Sequence, residues 1–329
     1  MKAVQIDAYG GPENLILRDI ATPEPGPGEA LVRTRYAGVN YTDVYNRNGM
    51  YATSHTYANS PPFTLGREGG GVVERSGAGV DSVAAGDRVV WCLPLGSYAE
   101  AAVVPAWRLV KVPGDVDMSV ATALMLQGCT AHYLTHSLFR IEPGMRCLVH
   151  AAAGGVGQYL VALARHLGAE VFATVGTEEK ARIAASRGAD HVILYRREDF
   201  AARVRDATGG RGVHVVYDSV GRATIEGSMR SLARRGTLVN FGAASGAVES
   251  IEPLALAEAG SLFFTRPHMA DYMCDAEEVA WRGREMFEHH AAGRIAATID
   301  RILPLDVAAE AHRILEARET RGKLLLEIG

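Results

Sequence analysis

Two hydrophobic patterns divide the chain. Up to about residue 118, short apolar runs are separated by turn residues, as in 23–28 and 77–79. This spacing is typical of a compact, barrel-like β unit. The predicted strands of this part are 15–20, 30–37, 71–75, 87–91, 98–104 and 108–112.

After about residue 118 the period of the hydrophobic pattern lengthens. Ser119 is predicted to cap a long apolar helix that reaches about residue 138. Strands and helices then alternate, which favours a doubly wound parallel sheet. The predicted strands are 147–151, 170–175, 191–194, 213–218 and 237–241, with 261–266 as a further strand. The predicted helices are 156–167, 178–187, 199–207, 223–233, 275–291 and 305–318, followed by a last strand at 323–328.

A glycine-rich turn joins the first strand of the alternating part to its helix. Residues 148–157 read LVHAAAGGVG, with Gly154 and Gly157 in two of the three places of the dinucleotide fingerprint and Ala152 in the first. Backbone N–H groups and the helix dipole at such a turn favour a pyrophosphate. We therefore predict dinucleotide binding at Ala153, Gly154, Gly155, Val156 and Gly157, the alternative being a tight turn without a ligand.

The residues after the next strand indicate which dinucleotide is bound. Gly176 stands where NAD-binding chains usually carry an acidic residue, and Thr177 and Lys180 follow. Without that carboxylate a 2′-phosphate is not repelled, and Lys180 adds a positive charge, so NADPH is favoured over NADH. Glu178 and Glu179 argue against a 2′-phosphate, unless they cap the first helical turn and point to solvent. Tyr195, at the end of the following strand, is expected to contact the adenosine or to be an ordinary surface aromatic.

Composition excludes several classes of function. The 329 residues carry a net charge of −4 and no basic run, which argues against a nucleic-acid partner. No apolar run is long enough for a membrane span and no signal-peptide core is present, so we predict a cytoplasmic protein. The four cysteines form no C-x-x-C pair and are expected to be reduced thiols.

Several motifs together resemble one family. They are 37–45, 65–71, 150–157, 174–180, 216–221, 240–242 and 261–267. In these segments the chain resembles the zinc-independent quinone oxidoreductases, including zeta-crystallin, of the medium-chain dehydrogenase/reductase superfamily. The resemblance implies a GroES-like β-barrel catalytic domain, a Rossmann domain and a cleft between them. The expected division is 1–122 with 267–329 for the catalytic domain and 123–266 for the Rossmann domain.

The zinc alcohol dehydrogenases of the same superfamily differ from this chain at their metal ligands. Asn40 stands where they have a cysteine, and the motif Gly66-Arg67-Glu68 has arginine where they have histidine. A catalytic zinc needs about three protein ligands, so we predict no metal. Without a Lewis acid the substrate must be electrophilic by itself, as quinones and α,β-unsaturated carbonyls are. The expected activity is NADPH-dependent reduction of small quinones; the alternative is reduction of an enoyl or alkenal C=C bond.

The resemblance also implies which side chains line the site. Asn40 and Tyr45 correspond to the pair that flanks the nicotinamide: the amide can bond the acceptor oxygen and the phenol can donate a proton. The alternative is a turn-stabilising Asn and a packed Tyr. Further implied cofactor contacts are Thr130, Ser219, Phe241, Gly242, Phe264, Thr265, Arg266 and Arg318. For Arg318 the alternative is an exposed helical arginine.

Two further expectations concern partners. Relatives of this family act as crystallins or bind RNA while retaining NADPH, which is a third reading of the function, although the acidic balance of this chain argues against RNA. A homodimer is implied by the family, and the apolar strand 262–264 is a candidate for pairing between subunits.

Overall fold

The computed structural model describes all 329 residues, which form two compact units. The first unit consists of Met1–Cys129, Met273–Ala291 and Ala297–Gly329, and the second of Thr130–Tyr272 and Ala292–Ala296. None of the helices has both the length and the apolar character that crossing a membrane requires.

Sixteen strands and nine α-helices make up the two units. The strands are β1 (Lys2–Ile6), β2 (Ile16–Asp19), β3 (Glu29–Val39), β4 (Phe63–Thr64), β5 (Glu68–Ser76), β6 (Arg88–Cys92), β7 (Ala101–Pro105), β8 (Val110–Lys111), β9 (Arg146–Val149), β10 (Glu170–Val175), β11 (His191–Leu194), β12 (Val213–Asp218), β13 (Leu232–Asn240), β14 (Phe263–Thr265), β15 (Ile299–Pro304) and β16 (Lys323–Glu327). The helices are α1 (Tyr41–Arg47), α2 (Met118–Tyr133), α3 (Gly155–His166), α4 (Glu178–Ser186), α5 (Phe200–Ala207), α6 (Ile225–Ser231), α7 (Pro253–Glu258), α8 (Ala276–Ala291) and α9 (Ala308–Glu316).

The first unit contains two antiparallel-rich sheets. One has the order β2-β1-β4, and the other runs β15-β16-β3-β5-β6-β8 with β7 also paired to β3. The C-terminal strand β16 lies antiparallel to β3, with Leu325 opposite Gly38. This pairing places Lys323, at the start of β16, close to the end of β3, and there it enters the site described below.

The second unit is a six-stranded parallel sheet in the order β11-β10-β9-β12-β13-β14. From the central strand β9 the chain first adds β10 and β11 on one side and then β12, β13 and β14 on the other, as in doubly wound folds. Its strands are almost continuously apolar, since helices cover both faces: β10 is buried from Val171 to Val175. The carboxyl ends of all six strands meet at one edge of the sheet.

The structure confirms the predicted fold class and departs from the sequence predictions locally. Helix α1 was not among the predicted elements, because its seven residues are mostly buried and show no apolar periodicity. The helix predicted from Ser119 is capped by Asp117, whose carboxylate accepts the Ser119 N–H at 2.8 Å. This helix changes to a π turn over Leu134–Leu138, where the prediction had one continuous helix.

Candidate active site

Asn40 is the residue that begins α1, so its position is fixed by both β3 and the helix. Its backbone N–H donates to the Asp43 carboxylate at 2.8 Å, as in a capping box. The residue is 3% exposed. Asn40 is thus held at the junction of a strand and a helix, with its side chain inside the first unit.

Four buried polar side chains meet around Asn40. They are Asn40, Glu68, Gln127 and Lys323, which we call the Asn40 cluster. The Lys323 ammonium donates to the Asn40 Oδ1 at 2.7 Å and to the Glu68 carboxylate. Glu68 also accepts the Leu126 backbone N–H at 2.7 Å. The side chain of Lys323 is 1% exposed and that of Glu68 0%, so the two opposite charges compensate each other in the protein interior.

The hydrogen bonds fix the orientation of both amides in the cluster. Asn40 Nδ2 donates to Glu68 at 2.8 Å and to the Gly38 carbonyl at 3.3 Å. Gln127 Nε2 donates to Asn40 Oδ1 at 3.4 Å. Gln127 Oε1 is buried with no protein partner. A buried acceptor of this kind is uncommon, and it marks the point where the Asn40 cluster can still receive an N–H or O–H donor.

Asp43 links the cluster to a second group of buried residues. Burial raises the pKa of Asp43 to about 7, against hydrogen bonding from the Asn40 backbone and the charges of Lys323 and Arg67. Its carboxylate accepts the Arg67 backbone N–H at 3.0 Å and faces the Tyr98 hydroxyl at 3.4 Å. Asp43 therefore acts as a structural acceptor for several segments.

A hydrogen-bonded chain continues from Tyr98 to the surface. The Tyr98 hydroxyl lies 3.2 Å from His312 Nε2, and Arg47 Nη1 donates to His312 Nδ1 at 3.0 Å. Arg47 also pairs with Glu316 at 2.9 Å. Because an arginine can only donate, Nδ1 is the acceptor and the neutral ring carries its proton on Nε2. Burial, and secondarily Arg47, lowers the pKa of His312 to about 3.

Tyr45 lies in α1, and the Arg67 side chain is hydrogen-bonded to the same helix. Tyr45 is buried, and its ring contacts that of Tyr51 at 5.4 Å between centroids. The Arg67 side chain donates to Asn46 Oδ1 at 2.6 Å and to the Leu93 carbonyl at 2.6 Å. A cation therefore occupies the position at which zinc-dependent relatives are expected to have a histidine ligand.

The glycine turn of the second unit is formed by close backbone approach. A Cβ atom at Gly157 would overlap the Ala151 carbonyl oxygen and lie 2.8 Å from the Ala152 Cα. Helix α3 begins just after Gly154 and has no acidic residue in its first turn. Gln158 braces the turn by donating to the Ala153 carbonyl at 3.0 Å. A helix N-terminus that follows a close backbone turn and carries no acidic residue suits a phosphate group.

The structure brings the residues proposed for the adenosine end together. A Cβ at Gly176 would lie 3.0 Å from the Tyr195 hydroxyl, and Tyr195 is largely exposed. Thr177 caps α4 by accepting the Lys180 backbone N–H at 3.3 Å. Glu178 forms an exposed ion pair with Arg197 at 2.6 Å. The acidic residue therefore has its own cationic partner.

A second set of predicted cofactor contacts lies at the ends of β12, β13 and β14. A Cβ at Gly242 would lie 2.9 Å from the Ser219 Cα, so the two residues adjoin. The Asp218 carboxylate fixes this turn by accepting the Val220 and Gly221 N–H groups at 2.8 and 2.9 Å. The predicted residues Phe241, Phe264 and Thr265 lie at the same ends of β13 and β14, since Val239 pairs with Thr265.

The other three predicted contacts are Thr130, Arg266 and Arg318. Thr130 is buried in α2, with its hydroxyl 3.6 Å from the Met269 sulfur. Arg266 is exposed just after β14, and Arg318 is exposed just after α9 with a left-handed φ of 59°. Arg318 thus belongs to the turn that ends the helix.

Sequence reasoning missed Lys323 and did not assign a role to Glu68 or Asp218. Lys323 is 255 residues from Glu68, and a lysine near a C-terminus carries no local signal of burial. The signal for Glu68 was its place in the motif 66–68. Asp218 could have been found as an acidic residue that ends an apolar strand next to a predicted contact.

Comparisons with known proteins agree with this architecture. The family model "Alcohol dehydrogenase GroES-like domain" matches residues 26–114, and "Zinc-binding dehydrogenase" matches 155–280. A 2-haloacrylate reductase of Burkholderia sp is 41% identical over 328 residues, which is 98% of each chain. A quinone oxidoreductase of Pseudomonas aeruginosa is 41% identical over 326 residues, which is 99% of each chain.

A solved structure extends the comparison to three dimensions. The Escherichia coli quinone oxidoreductase in complex with NADPH superposes with a TM-score of 0.95 at 39% identity, covering 99% of this chain and 100% of that one. Similarity at this level over the full length confirms the resemblance seen in the motifs. The chain belongs to the quinone oxidoreductase family of the medium-chain dehydrogenase/reductase superfamily.

Proposed function

We propose that this protein is an NADPH-dependent reductase of small quinones. The observation that carries the proposal is the glycine turn before α3, where a Cβ atom at Gly157 would overlap the Ala151 carbonyl oxygen and the first helical turn has no acidic residue. The relatives support it, because quinone oxidoreductases of about 40% identity extend over the whole chain and one of them was solved with NADPH.

The residues of the second unit fit this coenzyme. The turn 153–157 would hold the pyrophosphate, and Gly176, Thr177, Lys180 and Tyr195 would hold the adenosine with its 2′-phosphate. Lys180 supplies the positive charge, while Glu178 is paired with Arg197. Ser219, Phe241, Gly242, Phe264 and Thr265 end the neighbouring strands, where ligands of such sheets bind. Thr130 and Arg266 complete the proposed contacts in this unit, and Arg318, a residue of the first unit, stays a prediction from the resemblance.

The residues around Asn40 do not fit a catalytic zinc. Asn40 Oδ1 already accepts the Lys323 ammonium, and Arg67 brings a guanidinium to the expected ligand position. The positive charges of Lys323 and Arg67 therefore oppose the binding of a divalent metal ion at this place. In our proposal the acceptor is therefore electrophilic by its own conjugation and needs no metal.

The reaction then depends on hydride, orientation and one proton. When bound, NADPH would supply the hydride for the acceptor. In our proposal the Tyr45 hydroxyl donates a hydrogen bond or proton to the acceptor oxygen as negative charge develops there. Asn40 contributes through the Asn40 cluster, whose interlocked hydrogen bonds hold the wall of the site rigid. Buried residues of this kind also exclude water from the reacting groups.

A second candidate is reduction of a conjugated C=C bond. It is favoured by the similarity to 2-haloacrylate reductase, at 41% identity. Oxidation of NADPH followed at 340 nm with 1,4-benzoquinone, with an alkenal and with a 2-haloacrylate separates the two candidates. Turnover with the quinone supports the first, turnover with only the C=C acceptors supports the second, and inactivity with all of them contradicts both.

Coenzyme preference tests the proposal independently of the acceptor. Replacing Lys180 with Met is expected to weaken NADPH binding several-fold, in line with about 1 kcal/mol for one partly exposed charge, and to leave NADH binding unchanged. Lys111→Met, an exposed lysine in the first unit, is the control. Equal loss for both coenzymes would show that Lys180 does not meet the 2′-phosphate.

Three further expectations concern assembly, location and partners. We propose a homodimer formed through β14, because it is an edge strand of the six-stranded sheet and its Phe263 is 62% exposed. Light scattering that gives only the monomer mass would contradict this. A cytoplasmic location and the absence of a nucleic-acid partner stay predictions from composition.

A further inference from the structure

Arg67 is a buried cation held by three separate segments. Its side chain donates to the Asn46 Oδ1 in α1, to the Leu93 carbonyl after β6 and to the Tyr57 carbonyl in the loop 48–62 at 3.1 Å. The residue is 6% exposed, and no carboxylate pairs with its guanidinium. Burial lowers the pKa of Arg67, with the charge of Asp43 opposing this. A buried charge is costly unless it is hydrogen-bonded. Loss of any of the three oxygen partners is therefore unfavourable, which keeps them in place.

Arg67 also holds Leu93 in place through two hydrogen bonds. Leu93 has a φ of 87°, a region that a leucine rarely occupies. Its N–H donates to the Arg67 carbonyl at 2.8 Å, and its carbonyl accepts from Arg67 Nη1 at 2.6 Å. The strained turn is thus stabilised from both sides by one residue.

Arg67 also fixes the ring of Tyr57. The guanidinium carbon lies 5.1 Å from the centroid of that ring, which is within the range of a cation–π contact. The Tyr57 carbonyl accepts a second hydrogen bond, from Asn46 Nδ2 at 3.0 Å. Backbone and ring of Tyr57 are therefore both tied to Arg67 and α1.

Three tyrosine rings follow one another from this point towards the proposed catalytic residue. The Tyr57 and Tyr51 centroids are 5.0 Å apart, and those of Tyr51 and Tyr45 are 5.4 Å apart. These are normal spacings for tilted and edge-to-face aromatic pairs. We call Tyr45, Tyr51 and Tyr57 the tyrosine ladder.

We propose that Arg67 is a positioning residue that sets the acceptor specificity. By fixing Tyr57 it aligns the tyrosine ladder, whose rings suit flat, ring-containing acceptors such as quinones better than small open-chain ones. The inference rests on the proposed function, since Tyr45 has its role there. It deepens that function by assigning the preference for flat, ring-containing acceptors to a residue that does not touch the acceptor.

The test compares a ring acceptor with an open-chain acceptor. Arg67→Met is expected to raise the KM for 1,4-naphthoquinone about tenfold, equivalent to about 1.4 kcal/mol, with unchanged kcat, KM for acrolein and NADPH affinity. Arg67→Lys keeps a charge without the planar fork and is not expected to restore the KM. Because Arg67→Met can fail to fold, Tyr57→Leu provides a second variant that keeps Arg67 and the carbonyl of residue 57.

Matched controls separate positioning from stability. Tyr57→Phe retains the ring and is expected to keep the KM for naphthoquinone at the wild-type value. Arg47→Met removes another buried arginine, whose guanidinium bonds to His312 and Glu316, so it is expected to lower Tm without changing the ratio of the two KM values. If Arg67→Met and Tyr57→Leu change both acceptors equally, the inference is overturned while the proposed function stands. A wild-type protein inactive with both acceptors would instead overturn the proposed function.

Discussion

The two candidate sites of this molecule are built on opposite principles. The glycine turn before α3 is made of consecutive residues, has almost no side chains, and presents backbone N–H groups and a helix N-terminus. The Asn40 cluster is made of side chains from the β3–α1 junction, β5, α2 and β16 that are far apart in sequence, and every charge in it is buried. One site depends on the space that small residues leave, and the other on polar groups that satisfy each other.

This difference determines how each site responds to mutation. A backbone site fails when an atom is added, because the space is lost. A buried polar network fails when a group is removed, because the partner keeps its desolvation penalty without compensation. The variants below test this contrast.

The largest effect is expected for Lys323→Met. This change leaves the Glu68 carboxylate, which is 0% exposed, without its cation. Breaking a buried pair on one side costs about 3–5 kcal/mol, so the free energy of unfolding should fall by that amount in urea titrations. The double variant Lys323→Met with Glu68→Gln is the control. It should recover a large part of the loss, since no unpaired charge remains.

A different result would change the description of the cluster. If the single and double variants are equally destabilised, packing rather than charge compensation holds the cluster together. The cycle of the two single variants and the double variant measures the coupling directly.

The same contrast explains how far the sequence alone could lead. The turn 153–157, the strand ends around Gly176 and Ser219, and the parallel sheet follow from local patterns, because the residues of each are neighbours in the chain. The pairing of Lys323 with Glu68 depends on β16 lying beside β3, which no local pattern encodes. The position of Asn40 was predicted through family motifs, whereas the saturation of its amide by Glu68 and Gly38 required coordinates.

A smaller effect is expected for Gly157→Ala. The added Cβ would overlap the Ala151 carbonyl, so the strand β9 and the helix α3 must separate. Overpacking of this kind costs about 1–3 kcal/mol. We expect a lower Tm and a larger loss of NADPH affinity, measured by fluorescence titration. Gly114→Ala is the control, because no atom lies within 4 Å of its Cβ position. Unchanged NADPH binding in Gly157→Ala would place the pyrophosphate elsewhere.

The smallest effect concerns pH and tests whether the buried network of the first unit is neutral at His312. The pKa of His312 is lowered to about 3, so between pH 6.5 and 3 the unfolded chain binds a proton that the folded chain does not. Stability from this group is therefore lost as the pH falls, by at most about 1.4 kcal/mol per pH unit. Asp43 opposes it: its pKa is raised to about 7, so its contribution is present below pH 4 and is lost as the pH rises towards 7.

The variant His312→Gln separates the two contributions. Glutamine can accept from Arg47 and donate to Tyr98, so the hydrogen-bonded chain can be kept without a titrating ring. We expect the difference in free energy of unfolding between variant and wild type to shift in favour of the variant as the pH falls from 6.5 to 4.5. Replacement of the exposed His55 by glutamine should show no such trend. A pH-independent difference for His312→Gln would mean that His312 takes up its proton over the same pH range in the folded and the unfolded chain, which would contradict a neutral ring that accepts from Arg47.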